Sequence, residues 1–309
     1  MRVTCLAGSV GAAKFLSGLV QVVPPEEITA VVNTGDDLVL HGLHISPDLD
    51  TVTYTLSGAV NPETGWGLAD ETWAAMESLE RYGGQSWFRL GDRDLATHLY
   101  RTQRLSEGGR LDEITAEVAV SWGLHLRLLP MSNDRVETRI ALKSGDEIGF
   151  QEWFVGQRHA TAVRRVLFEG AGDAKPAPGV IEAIADAETI VICPSNPIVS
   201  IGPLLEIQGV GDAIRARLDR CVAVSPIIAG KALKGPADTL MTDLGHEASV
   251  VGVARLYAGL ASVLVVNDAD AGLVGAVEKE GIRCVVAPTV MTGPSQAEAL
   301  ARTVLAAVG

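Results

Sequence analysis

The sequence predicts an α/β fold: a Rossmann-like, mostly parallel sheet with helices on both faces and a mainly helical insertion at about residues 67–125. Two features predict this fold. Nearly continuous apolar runs, typical of strands covered on both faces, alternate with amphipathic stretches near both ends of the chain. The 309 residues are also 47% hydrophobic and only 20% charged, which supplies a large core and argues against disorder. We therefore expect residues 1–309 to form one domain.

The first elements form a strand–helix–strand unit. Val3–Ala7 is an apolar run, and the glycine turn Gly8–Gly11 separates it from a helical stretch at Ala12–Val22. Two prolines end this helix, and a second β-branched run follows at Ile28–Val32. The polar segment at Asn33–Asp50 is too long for a simple connector, and loops of that length are usually functional.

The helical insertion precedes a second region in which strands and helices alternate. Within the insertion, apolar and charged residues fall on opposite faces at helical spacing. After it, the predicted strands are Leu126–Leu129, Glu137–Leu142, Glu147–Val155, Thr189–Cys193, Arg220–Ser225, Ser262–Asn267 and Cys284–Ala287. The predicted helices in this region are Ile181–Ala187, Ala248–Leu260 and Ser295–Val308.

The turn after the first predicted strand has the composition of a phosphate-binding loop. It reads G-S-V-G-A-A-K and contains Gly8, Ser9, Val10, Gly11 and Lys14. Glycines let backbone N–H groups approach a phosphate, and the helix N-terminus supplies partial positive charge, to which Lys14 adds a cation. The spacing fits neither a Walker A loop nor a dinucleotide fingerprint, so an ordinary strand–helix turn is the alternative.

Four aspartates follow the second predicted strand within 15 residues. Asp36 and Asp37 stand at its carboxyl end, where ligands bind in open α/β sheets, and adjacent carboxylates suit Mg²⁺. Asp48 and Asp50 are two positions apart, and in an extended segment both would project to one side. We predict a Mg²⁺ site that includes Asp36, Asp37 and Asp48. For the first pair, a solvated turn is the alternative.

Two further segments carry groups suited to a ligand. Trp87–Asp94 combines aromatic side chains with two arginines, among them Arg89. Such a cluster can stack on a planar ring or bind phosphate, although a helix start followed by a solvated Arg101 explains it equally well. Ser195 and Asn196 follow a buried strand and offer neutral contacts to a phosphate or a base.

Composition and charge exclude several functions. The 25 Lys and Arg residues against 38 Asp and Glu residues give a net charge of −13, which argues against general nucleic-acid binding. The four cysteines lack metal-ligand spacing and indicate a reducing compartment. The apolar N-terminal run is interrupted by Lys14 and by three glycines, which argues against a signal peptide or a membrane span. We therefore expect a cytoplasmic protein without a membrane partner.

Taken together, these segments resemble the 2-phospho-L-lactate transferases that act on the deazaflavin FO in coenzyme F-420 biosynthesis. The resemblance covers nearly the whole chain in order. One difference lies in the first loop, which is often G-G-T-G in that family and is G-S-V-G here. The other segments that carry the resemblance are Asn33–Asp37, Ser46–Thr51, Trp66–Gly67, Leu90–His98, Leu129–Ser132, Pro194–Pro197 and Ser225–Ile227.

The resemblance implies a transfer reaction between two small molecules. A phospholactyl or phosphoenolpyruvyl group moves from a guanosine diphosphate-linked three-carbon acid to the terminal ribityl hydroxyl of FO, with Mg²⁺ assisting and GMP leaving. Asp50, Asp36 and Asp37 are the expected catalytic residues, and Asp50 is the hypothetical base. A homodimer is also expected. The expected FO contacts are Asp50, Arg89, Asn33 and Thr51, and the expected guanosine diphosphate contacts are Gly8, Ser9, Val10, Gly11, Lys14, Ser195 and Asn196.

The alternative is a non-enzymatic regulatory protein. A related family of the same fold binds UDP-sugars, and its members carry an Asp-Asp-Gly-Gly-Ser-Ser-Gly-like run after the second strand. This chain has Asp36-Asp37-Leu38-Val39-Leu40 at that place. The sequence therefore favours the transferase. It does not distinguish a lactyl donor from an enolpyruvyl donor, because these two differ only in a methyl group against a methylene group.

Overall fold

The computed structural model describes residues 1–308 of the chain and contains a central seven-stranded sheet. The strands are β1 (Val3–Ala7), β2 (Ile28–Val32), β3 (Leu38–Leu40), β4 (Leu43–Ile45), β5 (Arg127–Pro130), β6 (Glu137–Leu142), β7 (Glu147–Gly149), β8 (Val163–Glu169), β9 (Thr189–Ile192), β10 (Cys221–Val224), β11 (Ile227–Ile228), β12 (Lys231–Ala232), β13 (Val263–Val266) and β14 (Arg283–Val286). The order of the central sheet is β14-β13-β10-β9-β1-β2-β5, and every neighbouring pair is parallel. The predicted α/β fold is therefore confirmed.

Helices cover both faces of this sheet. They are α1 (Ser9–Leu19), α2 (Pro47–Leu56), α3 (Ala74–Arg81), α4 (Asp94–Ser106), α5 (Leu111–Ser121), α6 (Val180–Asp186), α7 (Gly202–Glu206), α8 (Val210–Arg215), α9 (Ala237–Asp243), α10 (Val250–Tyr257), α11 (Val274–Lys279) and α12 (Pro294–Ala306). Among the helices of residues 1–308, none combines the length and the apolar character that a membrane span needs.

Alternate residues of the central strands enter two separate cores. On one face, Leu6 and Ile192 are fully buried against residues of α6, α8 and α10. On the other face, Cys5 and Val191 are fully buried against residues of α1 and α12. This arrangement explains why the central strands are apolar at nearly every position, since neither face meets water.

The strand order places a switch point between β1 and β9. From β1 the chain adds β2 and β5 on one side, and then it returns to pair β9 with the other side of β1. Loops that leave the carboxyl ends of strands on two sides of a switch point diverge, which opens a crevice between them. The Gly8–Gly11 turn and the Pro194–Asn196 loop lie at this crevice.

The helical region begins earlier than predicted. The segment around Asp48 and Asp50 is not extended: it forms the start of α2, with Pro47 at the first helical position and both aspartates in the first turn. Proline is pre-organised for that position, and carboxylates there interact favourably with the helix dipole. The preceding polar segment contains the hairpin β3–β4, which the sequence did not predict. Within residues 67–125, α3, α4 and α5 agree with the predicted insertion.

A second sheet differs from prediction in two places. The strand predicted at Glu147–Val155 is wrong beyond Gly149, because Glu152–Gly156 forms a π-helical turn that buries Trp153 completely. The indole N–H of Trp153 donates to the Thr161 carbonyl at 2.9 Å, which fixes the ring in that place. Strand β8 was not predicted, and it completes the antiparallel order β7-β6-β8.

Candidate active site

The Gly8–Gly11 turn is held from the opposite side of the crevice by Ser195. The Gly8 N–H donates to Ser195 Oγ at 3.3 Å, and the Ser195 hydroxyl donates to the Gly8 carbonyl at 2.7 Å. A side chain at Gly11 would overlap the Pro194 carbonyl, so glycine is what allows α1 to approach this loop. Ser195, one of the predicted nucleotide contacts, therefore uses its hydroxyl group to hold the glycine turn.

Asp48 joins the glycine turn to the end of β2. Its Oδ1 accepts the Ser9 N–H at 2.8 Å, and its Oδ2 accepts from Asn33 Nδ2 at 3.0 Å. Ser9 has a left-handed backbone conformation (φ 63°), so the turn is held in a shape that most residues avoid. Burial raises the pKa of the Asp48 carboxyl to about 6, although the bonds from Asn33 and Ser9 act in the opposite direction. Asp48 thus already uses both carboxylate oxygens within the protein.

Asp36 and Asp37 each have one buried carboxylate oxygen that lacks a partner among the described residues, Oδ1 in both cases. The other Asp37 oxygen accepts from the Ser46 hydroxyl at 2.6 Å. Burial, and then the nearby Asp48 charge, raises the pKa of Asp36 well above its usual range, and burial is the main reason that the pKa of Asp37 is also raised. Buried polar atoms are normally paired, so the two orphaned oxygens indicate a site for a cation or a proton.

Asp50 lies in a different network, on the side of α2 that faces α4. Both of its oxygens accept from the Arg101 guanidinium, and the two side chains are only 7% and 4% exposed. The His98 ring lies between two carboxylates, with Nδ1 3.7 Å from Asp50 Oδ2 and Nε2 3.2 Å from Asp94 Oδ2. Tyr54 donates its hydroxyl proton to Asp94 Oδ1 at 2.6 Å.

This network corrects two expectations. Asp48 and Asp50 do not project to one side, because a two-residue step in a helix rotates the second side chain by more than a right angle. Arg101 is buried and paired, neither solvated nor free to bind phosphate. Ligand atoms of Asp50, Asp94 and His98 lie within 4.8 Å of one another, yet the guanidinium already neutralises Asp50, which disfavours a metal ion there.

The remaining predicted contacts lie on four separate parts of the chain. Thr51 is buried in α2, whereas Arg89 is exposed and its guanidinium lies 4.4 Å from the centre of the Trp73 ring. Asn196 accepts the Ile198 N–H at its Oδ1 (2.9 Å), and its buried Nδ2 has no partner among residues 1–308. Lys14 directs Nζ to the Met291 carbonyl at 3.4 Å, in the loop after β14.

A cavity of about 160 Å³ is lined in part by Asp37. Its polar wall also includes Thr34, Ser46 and Arg101. Because Arg101 binds Asp50 as well, one residue of the cavity wall is ion-paired with Asp50. The site as a whole combines backbone N–H groups, unpaired carboxylate oxygens and a neutral amide donor, a set suited to binding a phosphorylated ligand with a cation.

Comparisons with known proteins agree with this chemistry. The profile of the 2-phospho-L-lactate transferase CofD family matches residues 3–297. A phosphoenolpyruvate transferase of Streptomyces griseus is 46% identical over 310 residues, covering 99% of this chain and 98% of its own. Another, from Mycolicibacterium smegmatis, is 40% identical over 329 residues, covering 100% and 99%.

Solved structures support the fold. A UPF0052 family protein from Bacillus halodurans superposes with a TM-score of 0.65, covering 98% of each chain at 18% identity. At that identity, the likeness concerns the path of the backbone alone. The fold that forms the switch-point crevice is therefore also found in an experimental structure.

Proposed function

The chain belongs to the 2-phospho-L-lactate transferase CofD family, and from this premise we propose the reaction that it catalyses. It transfers a phosphoenolpyruvyl or phospholactyl group from a guanosine diphosphate-linked donor to the terminal ribityl hydroxyl of FO, releasing GMP, in coenzyme F-420 biosynthesis. The observation that carries this proposal is that Asp48 joins the glycine turn to Asn33 at the end of β2, and that Asp36 and Asp37, three and four residues further along, have buried oxygens without a partner. The relatives named phosphoenolpyruvate transferases favour the enolpyruvyl donor.

The residues present fit a Mg²⁺ ion. Asp36 and Asp37 would hold it through the oxygens that lack a partner, and we assign Asp48 first to holding the glycine turn, because both of its oxygens are in use. When bound, Mg²⁺ neutralises charge on a diphosphate and on the leaving phosphate. The elevated pKa values of Asp36 and Asp37 support this assignment, since a nearby cation would favour the ionised carboxylates that burial disfavours.

The protein's own groups would position the two substrates. The N–H groups of Val10 and Gly11, in the first turn of α1, would bind a diphosphate, because those of Gly8 and Ser9 are already bonded within the protein. The free Nδ2 of Asn196 would offer a donor to the guanosine half. The FO hydroxyl oxygen then forms a bond to the phosphorus nearest the three-carbon acid, and the bond from that phosphorus to the bridging oxygen breaks, releasing GMP. In-line transfer of this kind needs orientation more than covalent catalysis.

The hydroxyl proton needs an acceptor, and Asp50 is the proposed base. Arg101 already donates to both Asp50 oxygens, so the FO hydroxyl would share one of these oxygens with the guanidinium. Arg89, exposed beside Trp73, is the proposed outer contact for FO, and Asn33 and Thr51 are the proposed inner contacts. A homodimer remains our prediction from the family.

The proposed reaction is tested by incubating the protein with FO, Mg²⁺ and either lactyl- or enolpyruvyl-diphosphoguanosine, and by following FO products by mass. We expect a phosphodiester product with the enolpyruvyl donor. Product with the lactyl donor alone would support the proposed reaction but would identify the lactyl compound as the donor. Lack of product with both donors, together with measurable binding of UDP-N-acetylglucosamine, would replace the enzyme with the non-catalytic alternative.

Asn196→Ala is expected to raise the KM for the guanosine donor by about 3- to 10-fold, because one hydrogen bond to the ligand is lost. The KM for FO should stay unchanged. Asn267→Ala is the matched control, since Asn267 also caps a turn after a central strand (Ala269 N–H, 3.0 Å) but has its Nδ2 satisfied by Thr289. Steady-state kinetics with each substrate varied in turn would measure both effects. An equal rise in both KM values would point to misfolding or to a wrong assignment of Asn196.

A further inference from the structure

The glycine turn lacks the cation that the sequence assigns to it. Lys14 is near the turn in sequence, but its Nζ lies 3.4 Å from the Met291 carbonyl, in the loop after β14. A diphosphate at the turn would carry at least two negative charges, and backbone N–H groups supply only partial positive charge. We therefore expect a positively charged side chain from another part of the chain to lie beside the turn.

Lys234, in the loop between β12 and α9, is such a side chain. The position that a Cβ would occupy on Gly65 lies 3.2 Å from Lys234 Nζ and equally 3.2 Å from Val10 Cγ1. The ammonium group and the glycine turn are thus neighbours across Gly65. Glycine at position 65 (φ 74°) leaves this space open, since any side chain there would fall between Lys234 and Val10.

Lys234 is also available to bind a ligand. Its Nζ donates to the Thr64 carbonyl at 2.8 Å, and its side chain is exposed. The ion pairs among residues 1–308 do not include Lys234, whereas Lys231, in the preceding strand β12, pairs with Asp238 at 3.3 Å. A neutral carbonyl is a weak partner for an ammonium group, so exchange of this bond for a phosphate oxygen is favourable.

We propose that Lys234 binds the terminal phosphate of a nucleoside diphosphate held at the Gly8–Gly11 turn, exchanging its bond to the Thr64 carbonyl for that contact. The proposal rests on the proposed function for the identity of the ligand. It assigns to Lys234 the charge-neutralising role that sequence spacing gives to Lys14. It also explains why the Asn61–Gly67 loop lies over the turn, because that loop holds the ammonium group in place until a phosphate enters.

Titration calorimetry with GDP and with GMP tests this role without a turnover assay. Lys234→Met should weaken GDP binding by about 10- to 100-fold, as expected for one charge-assisted contact, and should change GMP binding by less than about threefold. Lys234→Arg should recover most of the GDP affinity. Lys231→Met is the matched control, because it removes an exposed lysine only three residues away, in β12, that is already paired with Asp238.

The possible outcomes separate this proposal from the proposed function. Wild-type GDP affinity in Lys234→Met, an equal loss of GDP and GMP binding, or a lack of GDP binding by the wild-type protein would overturn the role of Lys234. Phosphodiester formation by the wild-type protein, measured in parallel, would leave the proposed function standing in the first two cases. A selective loss of GDP binding by a protein that makes no phosphodiester would support Lys234 and reject the transferase reaction.

Discussion

Asp37→Asn is expected to lower the turnover of the proposed transfer reaction by at least about 100-fold, because metal-assisted charge neutralisation contributes several kcal/mol to such reactions. Asp37 lines the site cavity and has a buried Oδ1 without a partner, while Ser46 binds its other oxygen. Asparagine preserves the size of the side chain and the bond to Ser46 but removes the charge. The Mg²⁺ concentration for half-maximal activity should rise as well, and a Mg²⁺ titration at saturating substrates would measure both changes.

The stability of Asp37→Asn provides an independent test of the same assignment. Because burial raises the pKa of Asp37, a negative charge on its carboxylate is unfavourable in the folded protein. Removing that charge should leave the free energy of unfolding unchanged or increase it. A large loss of activity without a loss of stability is typical of a group kept for function.

Asp134→Asn is the matched control for Asp37→Asn. Asp134 lines the same cavity, but its Oδ2 already accepts the Lys175 N–H at 2.8 Å. We expect turnover within about threefold of wild type for this variant, since an exposed charge contributes little. If Asp37→Asn retained wild-type turnover and Mg²⁺ dependence, the metal assignment to Asp36 and Asp37 would be wrong.

The central sheet was predictable because its inner strands are short apolar runs buried on both faces. Val3–Ala7 and Ile28–Val32 have in the structure the bounds that the sequence predicts. At Ser46–Thr51, by contrast, the i, i+2 spacing of the aspartates is compatible with an extended segment, but proline followed by acids is the stronger signal and predicts the first helical turn that forms.

The contacts that complete the site join residues far apart in the chain, and no local pattern predicts them. Lys234 and Thr64 are 170 positions apart, and Ser195 lies 187 positions from the Gly8 that it holds. The position of Lys14 shortly after the glycines predicts a phosphate contact, yet its amine lies near the Met291 carbonyl because Lys14 is in the second turn of α1. The sequence therefore predicts which loops meet at the switch point but not which side chains complete one another.

Arg101→Met is expected to reduce the free energy of unfolding by about 3–5 kcal/mol, the typical cost of leaving a buried charge unpaired. Arg101 binds both oxygens of Asp50, and both side chains are almost completely buried, so the carboxylate would lose its main counter-charge. Methionine retains much of the buried apolar stem, which separates the loss of charge from the loss of packing. Denaturant unfolding followed by two probes would measure the change.

Arg104→Met, one helical turn further along α4, is the control for Arg101→Met, because its pairs with Glu107 and Glu117 are partly exposed and should contribute at most about 1 kcal/mol. A loss no larger than this control in Arg101→Met would show that the Asp50 pair is not a buried ion pair in solution.

Combining Arg101→Met with Asp50→Asn separates the structural role of the pair from its catalytic role. If the unpaired Asp50 charge causes the instability, Arg101→Met should cost at least about 1 kcal/mol less when Asp50 is already neutral, since contacting residues show coupling of this size.

Turnover of Asp50→Asn, measured where the variant is fully folded, then decides whether Asp50 is the base. A loss of about 10²- to 10⁴-fold, with a changed pH profile, is expected for a general base. Near-wild-type turnover would leave Asp50 as the anchor of Arg101 and would require the FO hydroxyl to lose its proton to another group. Because Arg101 lines the cavity beside Asp37, that result would direct the search for the base to the Asp36 and Asp37 pair.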